Sequence, residues 1–305
     1  MKVAILHHNI ELTELKFKEL FENNGVDVKF FDIRNVKEKE LLDYDLVLNR
    51  VYSSVASKDF NSLDKTLNLL KNLEKNQIKC INSFKASLAD YNKFELFKLL
   101  SSKCIFTPPT LFVGSKEEIN SKSIKAVKNF GFPIVVKRNC GGKSYDVTKV
   151  YSIEELIATL NKSFIISDKQ NYKGGFILQK FIKSIRNHDA RLGVINGKFY
   201  FSYARSFISR NSEDKWMAST SGGSCEFDYD SNEEEENIAI KANLAIESSF
   251  SESDIILSEN GPCIIEVNLT PGYFIDNPED IKRMKLIVNS LTKDLSKVKL
   301  IELKN

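Results

Sequence analysis

The chain has 305 residues, with 44 basic and 41 acidic side chains and a net charge of +3, so no overall field favours nucleic acid or a membrane surface. Its 42% apolar and 28% charged content is that of a soluble globular protein, long enough for two or three lobes. No apolar run approaches a membrane span. The five cysteines (Cys80, Cys104, Cys140, Cys225, Cys263) contain no Cys-x-x-Cys pair, which argues for reduced thiols in a cytoplasm and against a disulfide frame or zinc site. His7, His8 and His188 show no metal spacing, and no internal repeat is evident.

Residues 1–88 alternate strand and helix signals. Strands are predicted over 3–6, 27–31, 45–48 and 78–81, with helices over 11–24 (closed by Gly25) and 60–75. This alternation points to a parallel sheet with helices on its faces, where ligands sit beyond the carboxyl ends of strands. Arg50 follows the third strand at such an end, with Ser53 and Ser54 close behind, and is a candidate for holding an anionic group. A helix over 90–101 carries Lys93. Pro108 and Pro109 then mark a boundary.

A smaller lobe is predicted next, with helices near 116–130 and 153–160 and strands over 134–137, 147–151 and 175–181. The last lobe opens with a hairpin, 190–195 and 198–205, turning at Asn196-Gly197. A helix over 231–248 follows; its run from Glu233 to Glu236 reads as favourable charge at a helix N-terminus. A final helix spans 278–295.

Between those helices lies the most informative stretch, Asp254-Ile-Ile-Leu-Ser-Glu-Asn-Gly-Pro-Cys-Ile-Ile-Glu266-Val-Asn268. It reads as two short strands with Glu266 and Asn268 on one face. A two-residue Asn-Gly loop would pair Asp254 with Val267, on the wrong face. A three-residue loop, Glu259-Asn260-Gly261 with Gly261 left-handed, pairs Asp254 with Glu266. The three-residue loop is expected, because an all-oxygen trio of Asp254, Glu266 and Asn268 is what Mg²⁺ wants.

Gly141-Gly142-Lys143-Ser144 invites a P-loop reading, but that pattern needs glycine at 137, where Lys137 stands. The loop could still lie over phosphates between two strands, its backbone N–H groups as donors. No dinucleotide fingerprint, nucleophile elbow, kinase His-Arg-Asp or His-Glu-x-x-His signature is present.

Taken in order, Lys93 on its helix, Phe132-Pro-Ile-Val-Val-Lys137 with its glycine loop, Ile177-Leu-Gln-Lys-Phe-Ile182, Asp189-Ala-Arg191 and Ile265-Glu-Val-Asn-Leu-Thr-Pro-Gly272 resemble the ATP-grasp superfamily. The set is most similar to the RimK-like carboxylate–amine ligases and covers nearly the whole chain. The resemblance implies an α/β (α+β) ATP-grasp fold: an N-terminal parallel α/β domain over 1–88, a central lobe over 89–180 and a C-terminal lobe with the metal site over 181–305, the two lobes sandwiching ATP. Lys93 and Lys137 would bind the nucleotide phosphates, with Gly141 and Gly142 over them. The segment Gln179, Lys180, Phe181 and Ile182 would be the hinge, its backbone meeting adenine. Asp189 matches an acid near the ribose. Asp254, Glu266 and Asn268 match ligands of Mg²⁺, or Mn²⁺ in its place. Arg191 and Arg205 match arginines near the γ-phosphate and the acyl substrate.

Three departures stand out. The hinge reads Gln179-Lys180 where relatives usually have Gln-Glu. The loop after Lys137 carries Ser144-Tyr145-Asp146 where further glycines are usual. The stretch from Trp216 to Gly223 lacks the arginine and asparagine that relatives often place before Gly222-Gly223. The nucleotide half therefore looks intact and part of the acceptor site altered.

The activity implied is ATP- and Mg²⁺-dependent ligation of a carboxylate to an amine, of an amino acid or peptide, through an acyl phosphate. Catalysis would be positioning and charge neutralisation without a protein nucleophile. Rival readings are an ATP-grasp small-molecule kinase and a non-catalytic nucleotide-binding regulator. Substrate choice is expected from the Arg50–Ser53 loop, the hairpin bearing Arg191 and Arg205, and the segment ending in Gly222 and Gly223. The three arginines favour an acidic substrate. Homo-oligomers occur among relatives; no nucleic-acid or membrane partner is expected.

Overall fold

The computed structural model describes residues 1–142, 146–208, 215–219 and 222–302. Within these, three sheets follow one another along the chain. The first is parallel, in the order β2-β1-β3-β4, formed by β1 (Lys2–His7), β2 (Asp27–Asp32), β3 (Leu46–Asn49) and β4 (Cys80–Ile81). Helices α1 (Leu12–Glu22) and α2 (Phe60–Lys75) connect its strands as the alternation predicted.

The helix predicted over 90–101 is α4 (Lys93–Ser102); a helix the sequence reading did not include, α3 (Phe84–Tyr91), precedes it, and Asn92 separates the two. Asn92 adopts extended backbone and its side chain accepts from Glu95 N. Asn139 completes the cap: its carbonyl accepts from Lys93 N at 3.0 Å and its side chain from Phe94 N at 2.9 Å. Three of the four amides that a helix start leaves without partners are thus satisfied, and Lys93 is fixed as the first residue of α4.

The second sheet is antiparallel, β5-β8-β6-β7, from β5 (Thr110–Val113), β6 (Ile134–Arg138), β7 (Thr148–Val150) and β8 (Phe176–Lys180), with α5 (Ile119–Phe130) and α6 (Ile153–Lys169) against it. The third is a five-stranded antiparallel sheet, β11-β10-β9-β12-β13: β9 (His188–Ile195), β10 (Lys198–Ser206), β11 (Glu226–Asp228), β12 (Phe250–Ser258) and β13 (Gly261–Asn268). The turn between β9 and β10 is the expected Asn196-Gly197, both left-handed at φ 49° and 71°.

One face of the third sheet is apolar. Ala190, Leu192, Val194, Ile255, Ile264 and Val267 pack there with α7 (Glu233–Ala245) and also with Ala86, Ala89, Leu96 and Leu100 from α3 and α4. The C-terminal helix α8 (Pro278–Glu302) returns to the first sheet, where Met284, Ile287, Val288 and Leu291 join Val3, Ile5 and Phe17 in one core. Period-two alternation leaves the other face of the third sheet polar. Among the described residues no helix is long and apolar enough to cross a membrane.

The β12–β13 hairpin pairs Asp254 with Glu266, but not by the expected three-residue loop. Ser258 faces Gly261 directly, so the loop is two residues, Glu259 and Asn260. That register alone would set Asp254 against Ile265. A bulge between the Ile255–Ile264 and Asp254–Glu266 pairs inserts Ile265 and restores the alignment.

Candidate active site

The polar face of the third sheet collects charges that would be costly to bury singly. Asp254 is answered by two guanidinium groups. Arg191 Nε and Nη2 donate to its two oxygens at 2.7 and 3.0 Å, and Arg205 Nη2 donates to Oδ2 at 2.8 Å. Burial pushes the Asp254 carboxyl up, but the two arginines outweigh it and hold the group down at about 2. Arg205 also forks onto Asp189, its neighbour across the β9–β10 ladder. Asn268 Nδ2 donates to Asp254 Oδ1 at 3.3 Å, leaving the Asn268 carbonyl oxygen for another partner.

Glu266 accepts from Lys93 Nζ at 2.6 Å, and the same ammonium donates to the Gly141 carbonyl at 2.7 Å. Burial raises the Glu266 carboxyl, and Lys93 more than reverses it. Lys137 lies deeper: burial, with the charge of Lys93 adding to it, holds its ammonium down to about 8.

A cleft between the second and third sheets is lined at one end by Lys93, Lys137, Gly141 and Gly142 and at the other by Gln179, Lys180, Phe181 and Ile182, with Asp189 between. The residues predicted to hold a nucleotide therefore share one cleft. The Lys180 and Phe181 amides are engaged by the carbonyls of Pro109 and Pro133. Gln179 is turned inward and donates to Thr110 Oγ1. The cleft walls are apolar at the base end, with Val135, Phe207 and Ile256.

Trp216 belongs to this wall, although its segment reads in sequence as part of the acceptor site. Its ring meets Phe181 edge-on at 6.0 Å, and Lys149 Nζ stands 4.4 Å from the Phe181 centroid and 5.0 Å from that of Trp216.

A second cavity, of about 590 Å³, adjoins the first and shares Gly142, Arg205's neighbour Asp254, Glu266 and Ala218 with it or with its rim. Ser53, Arg191, Tyr203, Arg205 and Asn268 also line it. Its size suits a small-molecule site. A Cβ on Gly142 would come within 3.2 Å of Ser53 Oγ, so glycine allows the loop to close on the first domain there.

Arg50 does not take the place expected of it. Its side chain is fully buried, paired through Nε with Glu14 at 3.1 Å, and Nη2 donates to Tyr52 and to the Pro271 carbonyl. It lines neither cavity and acts as an internal strut between the first sheet and the loop after β13. Gly222 and Gly223 also lie off both cavities, where Ala218 and Ser219 stand instead. Lys143, Ser144 and Tyr145 of the glycine loop, and positions 220 and 221, lie outside the described residues.

Sequence reading missed Glu252, buried on the same face as Asp254. It accepts from Tyr203 at 3.0 Å and Tyr273 at 2.6 Å, with Arg191 at 3.7 Å. Period two counted back from Asp254 would have found it. Among the described residues no three His, Cys, Asp or Glu side chains converge as a metal-holding group. The trio here is two carboxylates in cross-strand register with an amide beside them. These are all-oxygen donors, which fit a hard divalent cation in kind.

Three sheets with a cleft between the second and third, lysines at one end and the Gln179–Ile182 segment at the other, match the arrangement of the ATP-grasp class. The description "RimK-like ATP-grasp domain" matches residues 90–287, and the chain belongs to that family. A probable alpha-L-glutamate ligase from Aliivibrio fischeri (strain MJ11) is 25% identical over 288 residues, covering 89% of this chain and 88% of the relative. Among solved structures, the D-alanine–D-alanine ligase of Bacillus anthracis superposes with a TM-score of 0.69 at 18% identity, covering 99% of each chain. A RimK domain ATP-grasp protein from Sphaerobacter thermophilus gives 0.65 at 15%, covering 95% of this chain and 99% of the other. At these identities the structural likeness speaks for the fold. The protein is an ATP-dependent carboxylate–amine ligase.

Proposed function

We propose that the chain activates a substrate carboxylate as an acyl phosphate and passes it to an amine, with a glutamate-type amino acid or peptide as one partner. The observation that carries this reading is that Asp254 and Glu266 line both cavities. A phosphoryl group held in the cleft can meet a carboxylate in the second cavity across those two side chains. Lys93, Lys137 and the amides of Gly141 and Gly142 would hold the nucleotide phosphates, and Asp189 the ribose side. Asp254, Glu266 and Asn268 would hold Mg²⁺, or Mn²⁺ in its place, which would supply charge neutralisation between phosphate oxygens. Arg191 and Arg205 neutralise charge on the transferring group and the acyl oxygen, so no protein nucleophile is needed. With Arg50 buried, these two arginines carry the preference for an acidic substrate, which the name of the glutamate-ligase relative also supports.

The three sheets support a division into units at 1–88, 89–180 and 181–305, with α3, α4 and α8 packed across those limits. Five free cysteines support a reducing, cytoplasmic setting.

The test is ADP release from Mg²⁺-ATP across a panel of acids including L-glutamate, with and without an amine panel, and mass spectrometry of the products. Acid-dependent ADP release that rises with one amine and yields an amide is expected. A stable phosphorylated product without amine dependence would make the protein a kinase, and ATP binding without turnover on any pair would make it a regulator.

A further inference from the structure

Glu226 is a carboxylate on the polar face that none of the roles above uses. It opens β11 directly across from Arg205, so its side chain shares the face of Arg205 and Asp254. It lines the second cavity with Asp254, Glu266 and Asn268.

Of the other carboxylates lining that cavity, the three from the C-terminal lobe, Asp254, Glu266 and Asp280, have close partners. Asp254 has two arginines and Glu266 has Lys93. Asp280 accepts from Phe274 N at 2.8 Å and from Arg283 at 2.5 Å. Glu11 is exposed on the first-domain side of the cavity, at the start of α1, where its backbone N–H donates to Glu14. Among the described residues, Glu226 has only a 3.9 Å approach from Arg283 Nη1, beyond hydrogen-bond reach, and its side chain is one-quarter exposed (25%). A carboxylate so placed is an acceptor waiting for a cationic donor. Among the carboxylates of the polar face, Glu226 is the one left for a cationic amine, with Arg283, Arg191 and Arg205 also acting on its charge.

We propose that Glu226 receives the ammonium group of the amine substrate and takes a proton from it; this rests on the ligase reading. The neutral amine then attacks the acyl carbon. The C–N bond forms and the C–O bond to phosphate breaks. The nitrogen's first proton goes to Glu226 and from there to water at the cavity mouth, and its second leaves on the phosphate.

Burial and the Asp280 charge raise the Glu226 carboxyl above its ordinary value, against Arg283 on α8, Arg191 on β9 and Arg205 on β10. The direction favours proton acceptance.

The experiment compares two nucleophiles in wild type, Glu226→Gln and Glu226→Asp. Hydroxylamine, uncharged at pH 8, intercepts an acyl phosphate as a hydroxamate without needing an ammonium site or a base. In Glu226→Gln, amide formation is expected to fall by at least about tenfold. The KM for the amine should rise, the loss should shrink at alkaline pH, and hydroxamate formation should fall far less. Glu226→Asp should recover part of the amide rate. Amide formation at the wild-type rate in Glu226→Gln, or equal loss of amide and hydroxamate, would overturn the assignment. Absence of acid- and ATP-dependent hydroxamate in wild type would remove the ligase reading itself, and this proposal with it.

Discussion

Lys137 carries a charge that burial works against. Its ammonium, held down to about 8, is mostly protonated at neutral pH and loses its proton as pH rises through that value. Phosphate oxygens arriving beside it would favour the charged form. ATP binding above pH 8 should therefore take up one proton, and binding at pH 7 none. The expected outcome is that ATP affinity weakens by up to about tenfold per pH unit between pH 8 and pH 10, the slope for one linked proton. Lys137→Gln should bind ATP more weakly, with a flat profile over that range. The measurement is a fluorescence titration, because the chain's single tryptophan, Trp216, lines the nucleotide cleft. A flat wild-type profile would mean that Lys137 is not the phosphate partner.

At the scale of an element, the start of α4 does two jobs. It separates α4 from α3, and it locks Lys93 to the strand end where the glycine loop begins. Asn92 supplies one cap through Glu95 N, and Asn139, immediately after β6, supplies two. Replacing Asn92 with alanine removes one cap and also eases continuation of α3 into α4. A loss of about 1 kcal/mol in unfolding free energy is expected. ATP affinity should fall as well, because Lys93 shifts relative to Gly141. Urea unfolding and the same fluorescence titration check both; an unchanged urea midpoint would rule out the cap. The β12–β13 hairpin shows the same interplay of local and sheet-level signals. A two-residue turn and a bulged Ile265 together set Asp254 against Glu266, each undoing the offset that the other would leave.

Across the whole molecule, Arg50 is the joint. Its guanidinium lies between the Phe17 and Tyr52 rings, 4.9 and 5.1 Å from their centroids. It pairs with Glu14 of α1 and reaches the Pro271 carbonyl beyond the metal-type hairpin. Arg50→Met leaves the Glu14 carboxylate buried without its cation, and a loss of about 3–5 kcal/mol is expected. Adding Glu14→Gln should restore part of that stability, since the stranded charge is then gone. Urea unfolding of the two variants distinguishes this from a substrate role. If Arg50→Met kept its stability and only raised the KM for the acid, Arg50 would be a ligand-binding residue after all.

The sequence by itself determined most of the order of elements, α3, β5 and β11 excepted, the polar alternation of the third sheet, and the residue types that chemistry on phosphates requires. Asp254 and Glu266 were legible because strand period is a local property, while Lys93, Lys137 and Asp189 were read from the resemblance to the ATP-grasp superfamily; the structure gathers all five along one cleft. The tertiary structure decided which charges face a cavity and which face one another. Arg50 looked like a ligand from its strand end, yet its partners lie 36 and 221 residues away, in α1 and beyond β13. Trp216 joins the base end of the cleft through contacts with Phe181 and Lys149, and neither neighbour is near it in sequence. Glu226 is singled out because the other carboxylates of the C-terminal lobe that line its cavity, Asp254, Glu266 and Asp280, are engaged. A buried charge takes its role from whatever lies within a few ångströms of it, and that set of neighbours comes into being only when the chain has folded.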